Sequence, residues 1–171
     1  MKKFIALMLV ALLALSGSAF AATYTLDDVS FEYDDTAFEI LQEQRGDDED
    51  LVALGYKNAD WGEGFVTIDL AEVSAAKPFP TVDSLKADME GVDVIQGDWA
   101  NFKNVISFSV EQEGVTVATF IAPIYDDDNA NKIDDALSVT ITAGQAKDDQ
   151  AAMDRDDAIS NLVNTLKVID D

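Results

Sequence analysis

Apolar and polar residues alternate in several stretches of the chain, most clearly over 137–142, and residues 105–125 read as a central β-hairpin around which the rest is arranged. Ile106, Phe108 and Val110 alternate with Ser107, Ser109 and Glu111, the period of a strand with one dry face. Glu113-Gly114 forms a two-residue turn, with glycine supplying the positive φ that a tight hairpin needs. Closing the hairpin there pairs Val110 with Val117 and Ile106 with Ile121. The second strand is also apolar on its other face, at Ala118, Phe120, Ala122 and Ile124, so it belongs inside a covered sheet.

The same periods place the other elements. Residues 24–26 and 29–33 read as strands broken by Asp27-Asp28, and residues 38–41 as another. Residues 51–56 and 65–70 flank the turn-rich NADWGEG and suggest a hairpin with a longer loop. Trp61 sits at the tip of that loop. Exposed, it is a partner contact; folded back over the sheet edge, as burial preference favours, it is core. KPFP at 77–80 acts as a linker, and Thr81 caps a short helix with Val82, Leu85 and Met89 on one face and Gly91 at its end. Residues 92–95 and 137–142 add strands, with Trp99 and Phe102 as core or hinge residues between them. A last helix begins at Asp149 or Asp154 and runs to Val168, with Ile159, Leu162, Val163, Leu166 and Ile169 as its dry stripe. The expected fold class is α+β: a largely antiparallel sheet of about six to eight strands flanked by helices.

The first residues have a different character. Lys2 and Lys3 precede an apolar run over 4–15, and Ala19-Phe20-Ala21 fits a small-x-small cleavage pattern. Residues 1–21 are therefore expected to be a signal peptide, leaving a single domain over 22–171. The run is short for a membrane-spanning helix. Ser18 stands where a lipobox would carry its cysteine, so the expected product is periplasmic or secreted, not lipid-anchored, with no membrane insertion after cleavage. The chain has no cysteine, so its stability must come from packing.

Charge narrows the partners. There are 34 Asp and Glu against 11 Lys and Arg, a net charge of −23. Such a field repels nucleic acid and anionic membranes and attracts cations and basic proteins. It also hydrates the surface, as suits a soluble exported monomer.

The opening VSFEYDD, the short capped helix, Trp99 followed by Phe102, the paired long strands and the terminal DAISNLVNTLKVI resemble the PsbP-like proteins. The resemblance spans nearly all of 22–171 as an order of elements. It implies an α/β/α sandwich and a non-enzymatic role. The expected partner, from charge and export, is a basic or envelope protein. Metal sites that use histidine in photosynthetic members cannot carry over, because this chain has no histidine.

Without His or Cys there is no imidazole base, thiolate nucleophile or soft-ligand zinc site. Neither G-x-S-x-G nor a Gly-rich phosphate loop occurs. A carboxylate-based hydrolase needs two neighbouring acids, which sequence cannot single out among so many. The 126–135 stretch, DDDNANKIDD, is a candidate Ca²⁺ loop: Asp127, Asn129 and Asn131 stand at alternate positions, Ile133 offers its carbonyl, and Asp135 follows. Lys132 in place of the turn glycine and Ser138 in place of the bidentate Glu depart from that pattern. The alternative is a polar loop between two strands. The second acidic cluster, 47–50, has the same two readings. The expected function is that of an exported, acidic, non-enzymatic accessory or binding module. The alternatives are Ca²⁺ binding through the loop from Asp126 to Asp135, or carboxylate-based hydrolysis.

Overall fold

The computed structural model describes residues 21–46, 49–126 and 128–169. The expected signal peptide, apart from Ala21, lies outside the described residues, as do Asp47, Asp48 and Asp127. The elements run β1 (Ala21–Leu26), β2 (Val29–Asp34), β3 (Phe38–Gln44), β4 (Glu49–Tyr56), a 3-10 turn (Ala59–Trp61), β5 (Gly64–Glu72), α1 (Val82–Asp88), β6 (Ile95–Trp99), β7 (Phe102–Gln112), β8 (Val115–Asp126), β9 (Asn129–Ala143), α2 (Asp149–Thr165) and β10 (Lys167–Val168). The fold is α+β. A seven-stranded antiparallel sheet has the order β3-β4-β5-β9-β8-β7-β6, and a three-stranded one the order β1-β2-β10.

The central hairpin has the register its alternation dictates, with Val110 opposite Val117 and Ile106 opposite Ile121. Glu113 and Gly114 both take positive φ, 54° and 79°, the twist of a type I′ turn. β8 lies between β7 and β9 in this sheet.

One face of the large sheet carries the core. Val52, Leu54, Val66, Ile68, Leu70, Ala122, Leu137 and Val139 are buried there against Leu26, Val29 and Phe31 of the small sheet and Ile159, Leu162 and Leu166 from the last helical segment. Each such Val, Leu, Ile or Phe side chain stabilises the fold by roughly 1.5–3 kcal/mol, which is how a chain without disulfides holds together. The opposite face is only half-covered. Thr67, Asp69, Thr119, Ser138 and Thr140 lie on it, with Thr119 Oγ1 and Thr140 Oγ1 3.2 Å apart. The connection from β5 to β6 passes on this side, bringing Phe79, Pro80 and Val82 opposite Ile106, Pro123 and Ile133. Thr81 caps α1 as expected, in a reciprocal box with Ser84. None of the α1 residues is fully buried.

Three features differ from the sequence-based expectation. The main sheet has seven strands, within the expected range, but the described residues hold ten in two sheets, because β1 and β2 leave the main sheet and the chain after α2 returns to pair Lys167 with Ser30 and Val168 with Val29. α2 ends at Thr165, where Asn101 Nδ2 donates to the carbonyls of Leu166 (2.8 Å) and Asn164 (3.4 Å) and takes over the helix end. Within the 126–135 stretch, Asp126 and residues 129–135 are strand and not loop. β8 continues to Asp126 and pairs with Asn129, and β9 runs on through shifted register to Asp135. Ladder bonding to a long neighbour overrides the weak strand preference of Asp and Asn.

Candidate functional site

A groove of about 580 Å³ lies between β2, the 3-10 turn and α2. Its base is built first. Asn58 caps the 3-10 turn by accepting from the Asp60 amide at 3.0 Å, and the Trp61 amide bonds the Asn58 carbonyl at 3.1 Å. Gly62 then reverses the chain at φ 78°, where a Cβ would run into the Gln145 carbonyl. This tight path turns Trp61 inward. Its side chain is 6% exposed and meets Phe38 and Tyr56 edge-on at 6.1 and 5.9 Å. Trp61 is thus part of the groove base and the core, not an exposed loop-tip contact. Its Nε1 is buried with no hydrogen-bond partner.

The rim is acidic. Glu32 and Asp34 come from β2, where Asp34 Oδ1 accepts from the Thr36 amide at 2.8 Å and hydroxyl at 2.6 Å. Asp154 and Asp157 come from one side of α2. Asn58, Asn161 and Thr165 add neutral polar groups, and no Lys or Arg is among the lining residues. Thr165 Oγ1 accepts from the Glu32 amide at 2.7 Å and lies 3.0 Å from the Glu32 carbonyl, so β2 and the end of α2 are fastened together. The groove can therefore offer a fixed apolar base and four carboxylates to a cationic ligand.

The expected Ca²⁺ ligands that the structure describes, Asn129, Asn131 and Asp135, have the following surroundings. Asp126 Oδ1 accepts from the amides of Asp128 (2.9 Å) and Asn129 (3.1 Å), and Asn129 Oδ1 from that of Asn131 (3.2 Å). Lys132 Nζ lies between Asp126 Oδ2 at 3.0 Å and Asp134 Oδ1 at 2.7 Å, so the chain provides its own cation. That ammonium, helped by the Asp128 amide, holds the Asp126 carboxyl below its ordinary range. Asp135 is elsewhere. It pairs with Glu72 and lines a 140 Å³ cavity with Asp27, Glu49, Asp50 and Glu72. Burial and then its acidic neighbours, Asp134 foremost, push it up to about 6. Asp127 lies outside the described residues. Among the described residues, no group of three acidic side chains converges as a metal site.

Two functional candidates carried no sequence signal. Asp69 sits on the half-covered face with Oδ1 buried and unpartnered, and burial, then Glu49, raises it to about 6 against the opposing effect of Lys77. Arg45 donates to Asp50 Oδ2 at 2.8 Å and to the Thr25 carbonyl at 2.6 Å, with its guanidinium 5.4 Å from the Tyr24 ring centre, and so ties the small sheet to the large one. Compared with known protein families, with curated proteins and with solved structures, the chain matches none of them.

Proposed function

We propose that this protein is an exported, non-enzymatic accessory or binding module whose acidic groove takes a basic segment of a partner protein. The observation that carries this reading is the groove itself: Glu32, Asp34, Asp154 and Asp157 on the rim, a buried aromatic base, and no lining Lys or Arg. A long-range field of the same sign steers such a partner toward it. A carboxylate hydrolase is disfavoured by the placement of the two acids that titrate high. Asp69 shares a face with Thr67, while Asp135 shares the opposite one with Leu70 and Leu137, so the sheet separates them.

The test is a titration with a labelled Lys/Arg-rich peptide at low and moderate salt. Binding should weaken with salt, and Asp154→Lys with Asp157→Lys should weaken it about tenfold or more, the range in which close charge pairs couple across interfaces. Undiminished binding to the double variant, or none to the native chain at low salt, would dismiss the groove.

A further inference from the structure

We propose a second binding site, unrelated to the acidic groove, for an uncharged, flat, largely apolar molecule with one polar edge. It is the cavity of about 420 Å³ where the β5–β6 connection crosses the half-covered sheet face. Small-molecule sites occupy about 300–1,000 Å³ and combine apolar walls with a few convergent polar groups. This cavity has both. Phe79, Pro80 and Val82 form one wall and Ile106, Pro123 and Ile133 the other. Two facing walls of ring and branched carbons suit a planar guest.

The polar edge is preassembled. Asn104 Nδ2 donates to Tyr125 Oη at 3.3 Å, and the Asn104 carbonyl accepts from Gln96 Nε2 at 3.3 Å. The Asn104 backbone is in the left-handed region at φ 57°, a conformation that Asn tolerates better than most residues. Together these bonds leave an amide and a phenol edge at one end of an apolar slot.

Charge selects the guest. Within a chain of −23, Asp83 is the one charged residue lining this cavity, and it is exposed. An anion is repelled by the whole molecule, and a cation finds four carboxylates in the other groove. Neutral ligands are what remain. The outer wall can also adjust. The connection is anchored at Val73, whose amide bonds the Asp134 carbonyl at 2.7 Å, and at Val94, which is 1% exposed. Between them, α1 has no fully buried residue.

The neutral fluorophore N-phenyl-1-naphthylamine is the probe. It should bind the full chain saturably, with one bright site per molecule, and shift the methyl resonances of Ile106 and Ile133 while leaving that of Leu162 in place. Filling the slot from either wall, by Val82→Trp or Ile133→Trp, should weaken binding about tenfold or more. Val82 belongs to a helix outside the core, so its variant separates blocking from unfolding. Asp157→Lys, in the other groove, should leave the probe's affinity unchanged. The absence of saturable fluorescence, or native affinity in both filled variants, would overturn the site. So would methyl shifts confined to Leu162.

Discussion

Arg155 Nη1 donates to the Trp61 carbonyl at 3.1 Å and to the Gly144 carbonyl at 2.9 Å, so one guanidinium on α2 holds the turn that carries the groove base and the end of β9. Its side chain is 11% exposed, and Nε reaches Asp156 at 3.1 Å. Charge-assisted bonds of this kind contribute about 1.5–3 kcal/mol each, and partly buried carbonyls left unpaired lose more than the bond alone. Arg155→Ala should therefore lower stability by about 2–4 kcal/mol. Arg155→Lys should recover only part of that, since an ammonium cannot reproduce the fork. Urea unfolding at constant slope measures both. A loss under about 0.5 kcal/mol, as for ordinary surface substitutions, would mean that the helix is held by its apolar stripe alone.

The central hairpin offers a gain instead. Glu113 occupies left-handed backbone at φ 54°, where a side chain other than Asn, Asp or Gly is disfavoured. Type I′ turns prefer Asn-Gly, so Glu113→Asn should stabilise by about 0.5–1 kcal/mol, and Gly114→Ala should destabilise by about 1–2 kcal/mol. Thermal unfolding of the two variants checks the signs. A Glu113→Asn variant less stable than the native chain would show that the turn is set by something other than its backbone.

How much of this was legible follows from what each feature depends on. The hairpin register could be read because Ile106, Val110, Val117 and Ile121 specify it within a span of sixteen residues. Trp61 posed two alternatives, and the deciding facts, Phe38 and Gln145 nearby in space, lie far away in sequence. The acidic hairpin misleads for another reason. Its local composition favours a loop, and it is pairing with the neighbouring strand β8, through a shifted register, that makes it a strand. The groove was invisible because Asp34 and Asp157 meet across it only after α2 docks on β2. Asp69 alternates with Ile68 and Leu70 as any outward polar residue would, so nothing marked it as half-buried.

Stability should peak in mild acid. The Asp69 and Asp135 carboxyls rise from 3.8 to about 6 on folding, so the folded chain binds these protons more tightly than the unfolded one. Their contribution is fully present below the unfolded value, and it is lost as pH climbs through about 6. Glu43, Asp98 and Asp126 act the other way. Each is held low, by Tyr24 and Arg45, by Lys103, and by Lys132 respectively, and each loses its contribution in stronger acid. Unfolding temperature should thus increase from pH 7.5 to about pH 5 and fall below about pH 4. Asp69→Asn should flatten the upper limb and stabilise the chain at pH 7.5 by about 1 kcal/mol, once solvent screening is allowed for. An upper limb unchanged by that substitution would place the titration elsewhere.

Lys132 explains why the acidic hairpin need not recruit an external ion, and it makes that idea testable. Its ammonium bridges Asp126 Oδ2 and Asp134 Oδ1, and both carboxylates push its own proton affinity up. Removing it by Lys132→Ala leaves two carboxylates facing the vacated place, with amides still orienting Asp126 from behind. Oxygen-only sites with few charges bind Ca²⁺ at about 10⁻⁴–10⁻³ M. The variant should therefore show a rise in unfolding midpoint of about 2 °C in excess Ca²⁺, beyond whatever the native chain shows. It should also release heat on calcium titration that the native chain does not. If native and variant respond alike, or neither responds, the lysine is not what keeps calcium from the hairpin.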